Sequence, residues 1–216
     1  MGSFKACLFD LDGVIVDTVE FHFEAWKSIA DELGIPFSEE QNEQLKGVSR
    51  VESMRRILAM GGKEVSDEEL MTLTDRKNER YVQLISQMTS DDILPGVESF
   101  IHALKERHID VAIGSSSKNT PTILKAVGLE ETFPVVVDGN SITESKPHPE
   151  VFLKGAIGLG HNPSDCLVIE DAVSGVKAAH SAGMKCIGVG DEKILGQADL
   201  VVTDLTQLDV SDLETI

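Results

Sequence analysis

The chain has 216 residues, of which 41% are hydrophobic and 26% charged, as expected for a soluble globular protein. Its 37 acidic and 19 basic residues give a formal net charge of −18, and it has no basic run, so we expect no binding to nucleic acid or to an anionic membrane. No apolar run approaches the roughly 20 residues that a membrane helix needs, and no signal segment opens the sequence, so we expect a cytoplasmic protein.

Short apolar runs recur along the chain and alternate with helical patterns. Most of these runs are apolar at consecutive positions, which is typical of strands buried on both faces of a parallel sheet. The predicted strands are 4–9, 110–114, 135–138, 166–169, 186–189 and 200–202, and the helical patterns between them are 97–107, 120–126, 150–159 and 174–182. The alternation predicts an α/β fold with a doubly wound, Rossmann-like parallel sheet. The active site of such a sheet lies beyond the carboxyl ends of its strands.

The segment after the first strand breaks this alternation, because it contains helical patterns and no strand run. The patterns cover residues 18–33, 39–45, 50–60 and 67–87. Ser66, followed by Glu69, predicts a capping box at the start of the last helix. We therefore predict a core domain made of residues 1–16 and 90–216, with an α-helical cap domain, residues 17–89, inserted after the first strand.

The three cysteines lie in apolar, strand-like runs and include no CxxC pair. They are Cys7, Cys166 and Cys186. An odd number of cysteines in such runs indicates buried, reduced thiols in a reducing compartment.

Two carboxylates follow the first predicted strand, at Asp10 and Asp12, and a glycine comes next. Like charges this close repel each other unless a cation or a proton is shared between them. The pair predicts a metal-assisted nucleophile with a neighbouring acid/base. A pair of solvated turn aspartates is the structural alternative.

A cluster of small polar residues follows the second main strand and opens the next helix. Hydroxyl and backbone N–H groups in this position can hold phosphate oxygens, or they can cap the helix. The residues are Ser115, Ser116, Ser117, Lys118 and Asn119.

Two further polar motifs lie later in the chain. Lys146 precedes Pro147, which disfavours helical geometry at the lysine; this side chain is either a fixed charge in the site or an exposed loop lysine. Glu170 and Asp171 end the fourth main strand. Their oxygens, with those of the first strand end, suit Mg²⁺, which prefers hard oxygen ligands.

The four motifs in this order, DxDG, serines, Lys-Pro and Glu-Asp, resemble the haloacid dehalogenase superfamily over essentially the whole chain. The helical insertion resembles that superfamily's cap of the C1 type. The resemblance implies that Asp10 forms an aspartyl-phosphate and that Asp12 is the acid/base. It also implies a Mg²⁺ cofactor bound by Asp10, Asp12, Glu170 and Asp171, with Asp12 contributing its backbone carbonyl.

Several cap segments resemble the β-phosphoglucomutase branch of this superfamily. They are residues 17–22, 25–27, 45–50 and 76–78. The resemblance implies interconversion of β-D-glucose 1-phosphate and glucose 6-phosphate, an isomerase reaction of carbohydrate metabolism, with glucose 1,6-bisphosphate as primer and intermediate. The residues it assigns to substrate binding are His22, Lys46, Gly47, Val48, Ser49, Arg50, Lys77, Ser115, Ser116, Ser117, Lys118, Asn119 and Lys146.

The resemblance also gives individual roles to some of these residues. Arg50 is implied as the clamp on the phosphate that is not being transferred, with Lys118 and Asn119 as its partners on the core side. His22 and Lys77 are implied as cap groups near the acid/base. Without the resemblance, a helix histidine and a lysine within a charged run would be read as solvated.

Two other functions are compatible with parts of the sequence. A sugar-phosphate phosphatase of the same superfamily would keep the core motifs and differ in the cap. A signalling receiver domain also has a phosphorylated aspartate, Mg²⁺ and a lysine, but it needs neither the second acid, Asp12, nor a cap. We expect a monomer that acts on a small sugar phosphate.

Overall fold

The computed structural model describes residues 4–45, 48–214 and 216. Six parallel strands form one sheet in the order β3-β2-β1-β4-β5-β6. The strands are β1 (Ala6–Phe9), β2 (Asp110–Gly114), β3 (Val135–Val137), β4 (Cys166–Glu170), β5 (Lys185–Val189) and β6 (Leu200–Val202). Each falls on a predicted apolar run, and the predicted doubly wound α/β fold is confirmed.

The helices alternate with the strands after β2, and a separate group of helices follows β1. They are α1 (Val19–Glu32), α2 (Glu39–Glu43), α3 (Arg50–Met60), α4 (Asp67–Ile85), α5 (Val97–Glu106), α6 (Thr120–Ala126), α7 (Glu150–Leu159), α8 (Val173–Ser181) and α9 (Glu192–Leu195). The short α9 and several 3₁₀ turns were not predicted.

The chain forms two compact units. One consists of Met1–Asp17 and Thr89–Ile216 and contains the sheet; the other is the helical unit Thr18–Met88. That the helical unit acts as a substrate-binding cap stays a prediction.

Both faces of the sheet are covered, which explains the consecutive apolar residues in its strands. Neighbouring strand residues point to opposite faces. Leu8 packs in a cluster with Phe152 of α7 and Val176 of α8. The next residue, Phe9, makes edge-on ring contact with Phe100 of α5 at a centroid distance of 6.3 Å. The centre of the sheet is therefore dry, and its polar residues are confined to the strand ends.

The helical unit has its own apolar core, formed by one side of each of its longer helices. Its buried residues include Trp26 and Ile29 of α1, Met54 and Ile57 of α3, and Leu70 of α4. Trp26 therefore belongs to the packed core of this unit.

Serine is the N-cap residue of three of these helices, α2, α3 and α4. Ser38 and Gln41 form a complete capping box at α2. At α4 the Ser66 hydroxyl accepts from the Glu69 N–H at 3.2 Å. Only this half of the predicted Ser66–Glu69 capping box is seen.

The three cysteines are buried and free, as predicted. Burial raises the pKa of the Cys166 thiol to about 11, with a contribution from Asp165, so this thiol is protonated at neutral pH. Among the described residues, no helix is both long and apolar enough to cross a membrane.

Candidate active site

Asp10 lies at the carboxyl end of β1, in the middle of the sheet. Its N–H donates to the Ile169 carbonyl of β4 at 2.9 Å, so the backbone ladder fixes its position. The side chain is buried although it carries a carboxylate. A carboxylate in such a place needs a partner, because removal from water penalises its charged form.

Asp12 lies in a tight turn directly after Asp10. The turn closes with a hydrogen bond from the Gly13 N–H to the Val16 carbonyl at 2.7 Å, and residues 12 and 16 form a backbone bridge. Gly13 has φ +86°, a conformation that favours glycine. The DxDG motif therefore places its second acid on a fixed turn at the edge of the sheet.

Lys146 supplies the charge that Asp10 needs. Its ammonium group donates to the Asp10 carboxylate and, at 2.7 Å, to Glu170 Oε1. The second oxygen of Glu170 accepts from the Ala172 N–H at 2.7 Å. The lysine side chain is only 7% exposed, so the structure does not have the exposed loop lysine that was the alternative.

The pKa values in this group reflect burial and opposing charges. Burial raises the pKa of Asp10 well above its usual range; Lys146 opposes the rise, whereas Glu170, Asp171 and Asp12 add to it. Burial lowers the pKa of Lys146, but the Asp10 and Glu170 carboxylates outweigh this effect and raise it. The lysine is thus a permanent cation beside an aspartate whose negative charge is costly.

The serine cluster follows the carboxyl end of β2, beside Asp10's strand. Ser115 is buried, and its Oγ accepts from the Ser117 N–H at 3.0 Å. Ser117 Oγ in turn accepts from the Asn119 N–H at 3.3 Å. Because the Ser115 Oγ is an acceptor in this turn, its own proton is available to donate. Ser116 and Lys118 are exposed.

The carboxylates at the sheet edge fit a divalent cation in their chemistry. A Cβ on Gly13 would lie 2.1 Å from Asp171 Oδ2, so the Asp171 carboxylate lies directly against the turn that carries Asp12. Four acids share this edge with the Lys146 ammonium, and all their donors are oxygens. Within the described ranges, no three His, Cys, Asp or Glu side chains converge as a ready-made metal cage. Glu170 already has two other partners, so its direct ligation of a metal stays a prediction.

A buried lysine also lies in the helical unit. Lys77 of α4 is 2% exposed, and its ammonium is 4.5 Å from the ring centres of both Trp26 and Tyr81. Its Nζ lies 3.0 Å from His22 Nδ1. The run of charges around Lys77 therefore does not place it in solvent. Sequence reasoning did not include the two rings, although each lies four residues after a predicted site residue on the same helix.

His22 has a defined protonation state in this arrangement. Burial lowers its pKa well below the usual value, and the positive charges of Lys77 and Arg50 lower it further. The imidazole is therefore neutral near pH 7. An ammonium group can only donate, so Nδ1 is the acceptor and the imidazole proton is on Nε2.

The predicted phosphate clamp lies at the start of α3. Arg50 is the first residue of this helix, and burial lowers its pKa while the charge of Asp75 raises it. Ser49 is the N-cap, and its hydroxyl accepts from the Glu52 N–H at 3.4 Å. Val48 is partly buried in the preceding loop. The predicted site residues Lys46 and Gly47 lie outside the described residues.

Glu150 supports the Lys146 loop, and sequence reasoning did not identify it. Its carboxylate accepts from the Thr143 and Glu144 N–H groups at 3.0 and 2.9 Å, and Lys154 pairs with it at 2.6 Å. Its hydrogen bonds, that from Lys154 first, lower its pKa to about 2. An acid in the first turn of a helix, just after the Lys-Pro motif, is the signal that could have identified it.

Comparison with known proteins shows which family has this sequence and fold. The family model of haloacid dehalogenase-like hydrolases matches residues 7–189. β-Phosphoglucomutase of Bacillus subtilis strain 168 is 45% identical over 206 residues, 94% of this chain and 91% of that protein. The crystal structure of β-phosphoglucomutase from Clostridium difficile has a TM-score of 0.90 at 42% identity, covering 98% of this chain and 96% of the other. A phosphorylated carbohydrates phosphatase of Thermotoga maritima is 31% identical over 204 residues, 91% of this chain and 92% of that protein.

The chain belongs to the haloacid dehalogenase-like hydrolase family, as the order of its motifs predicted. Within this family it is similar to the β-phosphoglucomutases, at a higher identity than to the Thermotoga phosphatase. The resemblance recognised in the core motifs and the inserted helices is confirmed.

Proposed function

We propose that this protein catalyses the β-phosphoglucomutase reaction, the interconversion of β-D-glucose 1-phosphate and glucose 6-phosphate, with Mg²⁺ as its cofactor. One observation carries the proposal: a buried aspartate at a strand end is held by a buried lysine, in a chain that matches β-phosphoglucomutases over nearly its full length. The substrate is a small sugar phosphate, and we expect the enzyme to be a cytoplasmic monomer.

Asp10 is the nucleophile. One of its carboxylate oxygens attacks phosphorus, and the bond from phosphorus to the sugar oxygen breaks, which leaves an aspartyl-phosphate. Lys146, already beside Asp10, neutralises charge on the transferring group, and the Ser115 hydroxyl donates to one of its oxygens. Mg²⁺, held by Asp10, Asp171 and the Asp12 carbonyl with Glu170 nearby, would supply further neutralisation of charge between nucleophile and phosphate.

Asp12 moves the proton in both half-reactions. It protonates the departing sugar oxygen in one direction and takes the proton from the attacking sugar hydroxyl in the other. In the forward reaction the 6-hydroxyl of β-glucose 1-phosphate takes the phosphoryl group from Asp10 and forms glucose 1,6-bisphosphate. The bisphosphate then turns round in the site, and Asp10 accepts the phosphoryl group from the oxygen on carbon 1; the bond from phosphorus to that oxygen breaks, and glucose 6-phosphate leaves.

The helical unit selects a sugar hydroxyl over water as the acceptor. Arg50, whose planar guanidinium can bind two phosphate oxygens, holds the phosphate that is not transferred. The Nε2 proton of His22, fixed by Lys77, gives the unit a neutral donor for the substrate. Val48 and Ser49, with Lys46 and Gly47, complete the sugar-binding segment, and Lys118 and Asn119 hold the distal phosphate from the core.

Phosphorus NMR tests the proposal. The enzyme is mixed with Mg²⁺, β-glucose 1-phosphate and a catalytic amount of glucose 1,6-bisphosphate. We expect conversion to glucose 6-phosphate with little inorganic phosphate. Inorganic phosphate as the main product would make the protein a sugar-phosphate phosphatase, the activity named for the Thermotoga relative, and the roles given to the helical unit would be wrong.

A further inference from the structure

A short loop after β3 folds around a buried aspartate. Asp138 is 6% exposed and directly follows the strand. Its Oδ1 accepts from the Asn140 and Ser141 N–H groups at 3.0 and 3.1 Å and from the Ser141 hydroxyl at 2.8 Å. Its Oδ2 accepts from the Asn140 side-chain amide at 2.9 Å. The carboxylate therefore fixes both the backbone of this loop, residues 138–141, and the direction of the Asn140 side chain.

This loop is hydrogen-bonded to the main chain of the serine cluster and packs closely against it. The Gly139 N–H donates to the Ser117 carbonyl at 3.0 Å, and the Asn140 Nδ2 donates to the Lys118 carbonyl at 2.9 Å. A Cβ on Gly139 would lie 2.4 Å from the Ser116 carbonyl oxygen and 3.0 Å from the Lys118 N. The two backbones are so close that only glycine fits between them.

The bond from Asn140 orients the peptide group that joins Lys118 to Asn119. The Lys118 side chain is exposed, so side-chain packing does not fix the position of its ammonium group. The main chain beneath it is instead fixed from two sides: the Ser117 carbonyl also accepts from the Thr120 hydroxyl at 2.9 Å, and the Lys118 carbonyl accepts from Asn140. Without the amide of Asn140, the second of these restraints is lost.

We propose that Asn140 is a positioning residue for the second, non-transferring phosphate of a hexose phosphate. It acts through the Lys118 main chain and does not touch the phosphate itself. This inference rests on the proposed function, in which Lys118 and Asn119 hold that phosphate. It predicts that Asn140 matters for substrates with a phosphate at the distal position and not for a small ester with a single phosphate.

Two variants of the same loop separate this role from general support of the fold. N140A removes two bonds of the Asn140 amide, one to the Lys118 carbonyl and one to the Asp138 carboxylate, whereas S141A removes only a hydroxyl bond to that carboxylate. Loss of the bond to the Lys118 carbonyl should lower kcat/KM for the mutase reaction in N140A by about three- to tenfold, mainly through a higher KM. Acetyl phosphate hydrolysis should keep its wild-type kcat and KM in N140A, and S141A should match the wild type on both substrates.

Two results would overturn the inference: an equal loss on both substrates in N140A, or the same mutase defect in S141A. If the wild type releases only inorganic phosphate from β-glucose 1-phosphate, the proposed function fails. Asn140 is then judged by hydrolysis of glucose 1,6-bisphosphate against acetyl phosphate, with the same criteria. Thermal melting checks that N140A is folded; if it is not, N140L, which keeps the shape of the side chain without a donor or a charge, decides in its place.

Discussion

Replacing Gly175 with alanine tests how closely the Glu170 carboxylate, which accepts from Lys146, is packed. Gly175 lies in the first turn of α8, beside the Glu170 carboxylate. A Cβ at this position would lie 1.7 Å from Glu170 Oε1 and 1.9 Å from its Cδ. Gly175→Ala must therefore displace a carboxylate that is 1% exposed and bonded to Lys146 and to the Ala172 N–H.

Two opposing effects set the size of the change in stability. In a helix, alanine is favoured over glycine by up to about 1 kcal/mol. Displacing Glu170 weakens two hydrogen bonds to a charged group, each contributing about 1.5–3 kcal/mol. The clash wins, so we expect Gly175→Ala to lower the free energy of unfolding by about 2–5 kcal/mol. Turnover should fall as well, because Lys146 loses one of the two carboxylates that hold it.

Urea denaturation of four proteins measures this effect: the wild type, G175A, E170A and the double variant. Shortening Glu170 to alanine removes the atoms that the new Cβ would meet. In that background Gly175→Ala should cost little, and the double-mutant cycle should show a large coupling energy. The reasoning would be refuted if G175A alone were more stable than the wild type, or if it cost as much without the carboxylate as with it.

Three further predictions concern the proposed nucleophile, the phosphate clamp and the buried histidine. Asp10→Asn should abolish turnover, while circular dichroism and thermal melting show an intact fold. Phosphoryl transfer by this variant at the wild-type rate would exclude Asp10 as the nucleophile. Arg50→Ala should slow the mutase reaction far more than hydrolysis of acetyl phosphate, and equal losses would contradict its role as a clamp. The lowered pKa of His22 means that the unfolded chain binds its proton more readily, so stability should fall as the pH drops below about 6.5, by at most about 1.4 kcal/mol per pH unit. Urea denaturation between pH 5 and 7 should show that the free energy of unfolding depends less steeply on pH in His22→Asn than in the wild type. His102→Asn, which alters an exposed helix residue, is the control and should not reduce this slope. An unchanged slope in both variants would show that His22 does not carry the pH dependence.

The sheet and the core part of the site could be predicted because burial leaves a direct record in the sequence. A central parallel strand is covered on both faces, so a run such as Val111–Ile113 is apolar at every position. A polar residue directly after such a run lies at the strand's end, and parallel strands bring these ends to one edge. Asp10, Ser115 and Glu170 follow this rule, which is why three of the four motifs predicted one edge of the sheet, whereas Lys146 lies in a loop after β3.

Contacts that side chains make with other elements could not be predicted, because no pattern in the sequence indicates them. Lys77 stands in the charged run Asp75-Arg76-Lys77-Asn78, and only the packing of α4 against α1 buries it between two rings. The grip of Asn140 on the Lys118 carbonyl joins residues 22 positions apart in two loops. Asp138-Gly139-Asn140 has the composition of an ordinary turn, and that pattern does not specify which main chain the turn meets.

The two buried lysines show how different surroundings can give one residue type two kinds of chemistry. Lys146 is held by the carboxylates of Asp10 and Glu170, which raise its pKa, so it keeps its positive charge at neutral pH. Lys77 faces the rings of Trp26 and Tyr81, and its charge acts on His22, whose pKa it lowers. The first lysine thus stabilises negative charge on Asp10, and the second keeps an imidazole neutral and its Nε2 proton available. Replacing either lysine with methionine would preserve the apolar stem of the side chain and remove its charge. We expect Lys146→Met to slow phosphoryl transfer itself, and Lys77→Met to change the pH dependence of the mutase reaction.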